Sequence, residues 1–329
     1  MKKIMKKILS SLLVVSLLFV VGCQQKTKEQ LKENELKGTI TMSGAWALYP
    51  MAVKWAEEFQ KIHPKVRIDV AAGGAGKGAA DALARVVDIG NVSREIFPAE
   101  IKKGAWWVSV TKDAVVPTVN ENNPVLKDLF SKGVKRGTFI DIWIKERVKD
   151  WKDVVPLSKK IFGKTDLHVY TRSDACGAAA TWAKYLGKNQ EDLLGVGVYG
   201  DPGLAEAVKK DILGIGFNNI NYVYDAKTKR QVKGIKVLPI DFNGNGRIDK
   251  NEDFYNSRDE IVKAIATGKY PSPPARDLHF ISQGKPKRKV VIEFIKWVLT
   301  DGQKYVPEAG YINLTEEKLQ EELKKLEGE

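Results

Sequence analysis

Residues 66–93 read VRIDVAAGGAGKGAADALARVVDIGNVS. Val66, Ile68 and Val70 alternate with Arg67 and Asp69, the two-residue period of a strand. GGAGKG (73–78) reads as a turn, AADALARVV continues as a helix, and VDIGNVS (87–93) returns to a strand. Upstream, GTITMSG (38–44) is another short strand ending in a glycine turn. Pro50 suits the first turn of a helix. Ala52, Trp55, Ala56, Phe59 and Ile62 then keep helical spacing until Pro64 stops them. Strand, helix, strand, helix, strand in that order predicts a parallel sheet with right-handed crossovers, an α/β fold.

A second α/β block runs from about Val116 to Ile240. It holds DLHVYTRSD as a strand, GAAATWAKYLG and AEAVKKD as helices, and GIGFNNINYVY as a strand. RDLHFISQGKP and KVVIEFIKWVLTDGQKYVPEAGYI return to strand and then helix. TEEKLQEELKKLEGE (315–329) is a charged helix with Leu319, Leu323 and Leu326 on one stripe, expected to pack as a terminal helix. With 329 residues, 43% of them hydrophobic, the chain is long enough for two domains with cores of their own.

The N-terminus, MKKIMKKILSSLLVVSLLFVVGC, is set apart from the fold. Lysines precede an apolar run from Ile8 to Val21, about fourteen residues where a membrane span needs about 20. Residues 1–22 read as a secretory signal. Val20-Val21-Gly22-Cys23 resembles the lipobox of bacterial lipoproteins, which implies a lipid on Cys23 and a place at the outer face of the cell membrane. Residues 23–37 then form a polar tether. The formal net charge of +13, which falls to +9 without the leader's four lysines, suits anionic ligands or an anionic envelope surface. No nucleic-acid motif appears, and export argues against that partner. Cys23 and Cys176 are the only cysteines, so no structural disulfide is expected. His63, His168 and His279 show no metal-binding spacing.

Three turns each follow a strand and open a helix: Ser43–Pro50, Gly73–Gly78 and Ser173–Ala178. A helix N-terminus offers free N–H groups and a positive dipole end, so each turn can hold an anion, and three together can converge on one ligand. GGAGKG is not a phosphate-binding P-loop: Ala71 stands where a glycine is needed, and Gly78 where a hydroxyl residue is needed. Cys176, at a helix start, raises the alternative of a thiol nucleophile. No histidine lies near it in sequence, His168 being eight residues upstream, and it reads better as a small pocket residue.

DFNGNGRIDKNE (241–252) matches the EF-hand calcium loop at every ligand position. Asp241, Asn243 and Asn245 take positions one, three and five. Gly246 makes the sharp turn, Arg247 offers its carbonyl, Asp249 sits at nine and Glu252 at twelve. GIKVLPI before it reads as a strand rather than an entering helix, so a single calcium ion is expected as a structural staple.

SGAWALYPMAVKWAEEF, VRIDVAAGGAGKGAADAL, VDIGNVSRE, VYTRSDACGAAATWAKYLG and PSPPARDLHFISQGKP, in that order, resemble the phosphate-binding proteins of ABC phosphate uptake. The resemblance covers nearly all of residues 38–314. It implies a periplasmic-binding-protein-like (type II) fold with a two-strand hinge. Residues 38–115 plus 270–314 would form lobe 1, and 116–269 lobe 2. It implies a small anion, phosphate, in the cleft, ABC permease subunits as partners, and a monomer that is not an enzyme. Carried over, the ligand positions are Ala45, Trp46 and Ala47 in the first turn and Ala75 and Gly76 in the second. Ser93 and Arg94 follow the third strand, and Arg172, Cys176, Gly177 and Ala178 form the last turn. Backbone and arginine are kept, but the family's hydroxyl positions carry alanine and cysteine. Another oxyanion or a small carboxylate, and outside transport a cell-surface hydrolase or ligand sensor, stay as alternatives.

Overall fold

The computed structural model describes residues 35–159 and 163–328. The expected leader, Cys23 and most of the tether lie outside them. In lobe 1, β1 (Gly38–Gly44), β2 (Val66–Ala72) and β3 (Ile89–Val92) alternate with α1 (Tyr49–Ile62) and α2 (Ala75–Leu83). α3 (Pro98–Lys102) leads into β4 (Ala105–Asn120), which crosses to lobe 2. There follow α4 (Leu126–Lys132), α5 (Arg136–Trp143), β5 (His168–Arg172), α6 (Gly177–Leu186), β6 (Val196–Val198), α7 (Gly200–Lys210), β7 (Gly214–Asn219), β8 (Ile235–Val237) and α8 (Arg258–Ala266). β9 (Ala275–Gln283) returns to lobe 1, closed by α9 (Lys289–Leu299) and α10 (Glu316–Glu327).

The strand order is β2-β1-β3-β9-β4-β7-β5-β6, with β8 also on β4. β1 is parallel to β2 and β3, as the alternation requires, whereas β9 is antiparallel to both β3 and β4. β4 pairs with β9 from Ala105 to Ala114, and its far end, Val115 to Asn120, pairs with β7 and β8. A register shift between Ser109 and Thr111 interrupts the β4–β9 ladder near the middle of β4. On either side the buried side chains divide into two cores. One holds Trp55, Phe59, Phe280 and Phe294; the other holds Phe139, Trp143, Trp182 and Phe217. Trp143 and Trp182 meet edge to face at 5.4 Å, a favourable quadrupole arrangement.

α2 begins earlier than the sequence suggests, at Ala75. Gly74, at φ +90, makes the whole turn, so the next residue is already helical. α6 ends on Gly187 in the left-handed conformation, the usual C-terminal stop. In α10 Leu326 is buried, and Leu319 and Leu323 lie against the lobe 1 core.

Candidate functional site

The three turns meet at the junction of the lobes. β1 ends at Gly44 (φ +132), where a β-carbon would overlap the carbonyl oxygen of Asn91. The Gly44 carbonyl accepts from Gly73 N–H at 2.8 Å and Gly74 N–H at 3.0 Å, which fastens the first turn to the second. The second turn touches the third, because Gly76 N–H donates to the Ala175 carbonyl at 3.0 Å across the lobes. Gly177 opens α6 so close to Ser93 that a β-carbon there would overlap the Ser93 carbonyl and Oγ. The ring of Trp46 lies against Gly200 at the start of α7, and its carbonyl accepts from Tyr222 Oη at 2.9 Å.

The first and third turns leave donors unspent. The N–H groups of Trp46 and Ala47 have no backbone acceptor among the described residues. Those of Gly177 and Ala178 begin α6, where no carbonyl lies one turn behind them. Trp46 Nε1 and both polar atoms of the Asn91 amide are buried without a partner among the described residues. Native interiors rarely leave buried polar groups unpaired, so each such group asks for an explanation. Ala45, Ala47, Ala75 and Ala178 are buried and contribute no side-chain donor.

Arg172 does not project a free charge. Its side chain is 0% exposed. Nε and Nη2 grip Asp174 at 2.8 and 2.7 Å, and Nη1 donates to Asp201 at 2.7 Å. The two carboxylates hold the guanidinium firmly in its charged form, against the opposing effect of burial. Asp201 also accepts from Asn219 Nδ2 at 2.7 Å. Asn219 Oδ1 accepts in turn from Arg276, whose Nε donates to Asp113 at 2.9 Å. Burial pushes the Asp113 carboxyl up, with Arg276 opposing it. A continuous network of two guanidiniums and three carboxylates therefore runs from the third turn to the hinge strands. Of these five charged residues the sequence marks only Arg172. Register was the available signal: Asp113 interrupts an apolar stretch of β4 and pairs with Arg276 in β9.

Arg94 is likewise committed, with Nη2 on Glu100 at 2.7 Å and the guanidinium over the Phe97 ring at 3.7 Å. It lines a cavity of about 830 Å³ between the lobes, together with Lys112, Cys176, Thr181, Lys184 and Arg276. Cys176 caps α6, its Sγ accepting from Ala179 N–H at 3.4 Å. Burial pushes its thiol up to about 12, with Asp174 and Asp201 adding to the shift and Arg172 opposing it. A thiol held protonated is a poor nucleophile.

In loop 241–252, Gly246 has φ +81, and Asp241 and Glu252 are each 3% exposed. Asp241 accepts from Gly246 N–H at 2.8 Å, Asn243 Oδ1 from Asn245 N–H at 3.0 Å, and Asn245 Oδ1 from Arg247 N–H at 3.0 Å. Among the described residues no group of three or more His, Cys, Asp or Glu side chains forms a metal cage. The donor set here is a mixed one of carboxylates, amides and a carbonyl, which suits a hard cation.

The PBP superfamily domain matches residues 30–302. A phosphate-binding protein of Methanocaldococcus jannaschii is 28% identical, over 96% of this chain and 93% of its own. One from Bacillus subtilis is 26% identical, over 87% and 84%. Among solved structures, a substrate-binding protein from Clostridium perfringens with bound phosphate superposes with a TM-score of 0.68 at 19% identity. That match covers 84% of this chain and 100% of the other. An ABC-type phosphate transport receptor from Vibrio cholerae gives 0.59 at 20% identity, with the same coverage.

Proposed function

The chain belongs to the PBP superfamily, and from that premise we propose that it is the phosphate-binding component of an ABC importer. One observation carries the reading. The three helix-opening turns meet at the lobe junction, and the first and third leave the N–H groups of Trp46, Ala47, Gly177 and Ala178, and the Trp46 indole N–H, without acceptors among the described residues. An anion seated there satisfies them with backbone dipoles instead of the missing hydroxyls. Arg172, neutralised by Asp174 and Asp201, sets the shape of the last turn rather than supplying net charge. The buried, protonated Cys176 supports a binding protein over a hydrolase.

Three finer parts belong to the same reading. A lipid on Cys23 holds the protein at the outer face of the membrane. Permease subunits receive the ligand from the monomer. A calcium ion is held by Asp241, Asn243, Asn245, Arg247, Asp249 and Glu252, where it pins the loop against Gly133, beside which Ile248 packs.

The test is calorimetry of the purified chain with phosphate, sulfate and small carboxylates, beside native mass spectrometry of whatever ligand copurifies. Phosphate binding is expected to dominate. A copurified carboxylate, with no heat from phosphate, overturns the assignment.

A further inference from the structure

Lobe 1 has a second end. The C-terminal ends of β1, β2 and β3 carry the turns of the cleft, and their N-terminal ends lie at the opposite pole. β9 runs antiparallel to β3, with Gly90 opposite Ile281 and Val92 opposite His279. The loop after β9, GKPKRK (284–289), therefore lands beside the start of β3. Lys285, Lys287, Arg288 and Lys289 are exposed there. Arg85, also exposed, lines the same hollow of about 350 Å³ as Lys285, Lys287 and Arg288. Lys37 precedes Gly38, which abuts the Arg288 guanidinium.

The acids around this pole are already engaged. Asp88 takes Arg288 at 2.5 Å, Glu35 takes Lys65 at 2.5 Å, and Glu327 takes Lys296 at 2.7 Å. Among the described residues no carboxylate lies within ion-pair distance of Lys37, Arg85, Lys285, Lys287 or Lys289. These five cations crowd the point where the chain enters the fold. Residues 24–34 are all that separate Cys23 from that entry, a reach of at most about 40 Å even when fully extended.

We propose that this pole of lobe 1 docks on anionic lipid headgroups, as a second anchor beside the acyl chain. The proposal rests on the anchoring reading above for its geometry. A single acyl chain gives only marginal, reversible binding, and a polybasic patch is one way of supplying the second signal. Each lysine near an anionic surface adds attraction that fades within a Debye length of about 8–10 Å. The tether's reach of about 40 Å is several Debye lengths, so it confines the pole to the neighbourhood of the bilayer and the patch itself makes the final approach. Docked this way, the cleft points away from the bilayer. The attraction is ionic and reversible, so the protein is free to turn toward a permease.

The test uses the chain from residue 23 onward carrying Cys23→Ser, so that neither the apolar leader nor an acyl chain binds vesicles and partition reports the patch. Partition onto vesicles of phosphatidylglycerol with phosphatidylcholine is compared with partition onto phosphatidylcholine alone. Lys285→Gln with Lys287→Gln and Lys289→Gln should lower partition onto the anionic vesicles at least about tenfold, and leave neutral vesicles unchanged. A control with the same charge loss on lobe 2, Lys127→Gln with Lys233→Gln and Lys263→Gln, should change it less than about twofold. Partition of the first triple equal to that of the parent, or an equal fall in the control, overturns the proposal. Acylation of Cys23 is read separately, as a mass shift of the native chain, so that either idea fails on its own.

Discussion

Removing the Arg172 guanidinium separates two roles, structural and ligand-holding. In the structure it is enclosed, and the side chains of its partners Asp174 and Asp201 are 7% and 2% exposed. Arg172→Ala leaves both carboxylates buried without their cation. Breaking a buried pair costs about 3–5 kcal/mol. Asp174 keeps a bond from Gly200 N–H at 3.2 Å and Asp201 keeps Asn219, so the two losses do not simply add. A destabilisation of about 4 kcal/mol at pH 7 is expected by the same rule. Urea unfolding followed by tryptophan fluorescence measures it without any ligand. An orphaned carboxylate escapes its penalty by taking up a proton. In the acid range the native variant then binds more protons than its unfolded chain, so its deficit shrinks as pH falls from 7 toward 4.5. If Arg172 instead served only the anion, the ligand-free variant would match the parent and lose only the shift that phosphate adds. A deficit below about 1 kcal/mol, or one that is the same at pH 7 and pH 5, refutes the structural role. Should the alanine variant not fold, Arg172→Met combined with Asp174→Asn and Asp201→Asn removes all three charges together, and is expected to recover much of the loss.

Gly177→Ala places a methyl group against Ser93 across the lobes; it should weaken phosphate binding at least tenfold, by roughly 1.4 kcal/mol or more, while the melting temperature without ligand moves little, and unchanged calorimetric affinity would count against the closed contact. Chelation should lower the melting temperature of the parent but not of Asp241→Ala with Glu252→Ala, because calcium binds only the folded loop; equal melting of both proteins in calcium and in chelator dismisses the staple. Burial lowers the His279 imidazole to about 4, with Lys325, Lys318 and Arg276 adding to the shift and Asp277 opposing it. Its unfolded value is about 6.5, so its contribution is intact above pH 6.5 and is lost as pH falls toward 4. His279→Asn should flatten that limb of the stability profile, and an unaltered acid limb would assign the loss elsewhere.

The α/β architecture was legible because period and turn chemistry are local. Val66, Ile68 and Val70 alternate whatever surrounds them, and Gly74 permits its turn by lacking a side chain. The three turns were legible for the same reason. Asp201 and Arg276 were not, because a charge in a helix start or a strand looks the same in sequence whether it faces water or the interior. Only the meeting of β4, β7 and β9 decides that Asp113, Asn219 and Arg276 share one buried chain of bonds. Alanine and cysteine at the hydroxyl positions count as lost donors only where side chains do the binding. The proposed site relies on spare N–H groups and the Trp46 indole instead, and their lack of partners shows only in the fold. The fold also places Arg172 between two acids, one of which, Asp201, lies twenty-nine residues downstream.

The break in register at Ser109 and Thr111 makes the hinge strands behave like a beam with one thin section. Elsewhere β4 and β9 share a regular ladder, and bending a ladder stretches many bonds at once. A local fault concentrates curvature where few bonds are at stake. Each half is stiffened by its own core of large aromatic side chains, so strain entering one lobe emerges as rotation of the other instead of dissipating within it. The same fault limits how far the halves can twist about their long axis, since both strands stay continuous through it. Opening about this point is expected to follow a narrow arc, with the three turns separating and returning in one alignment.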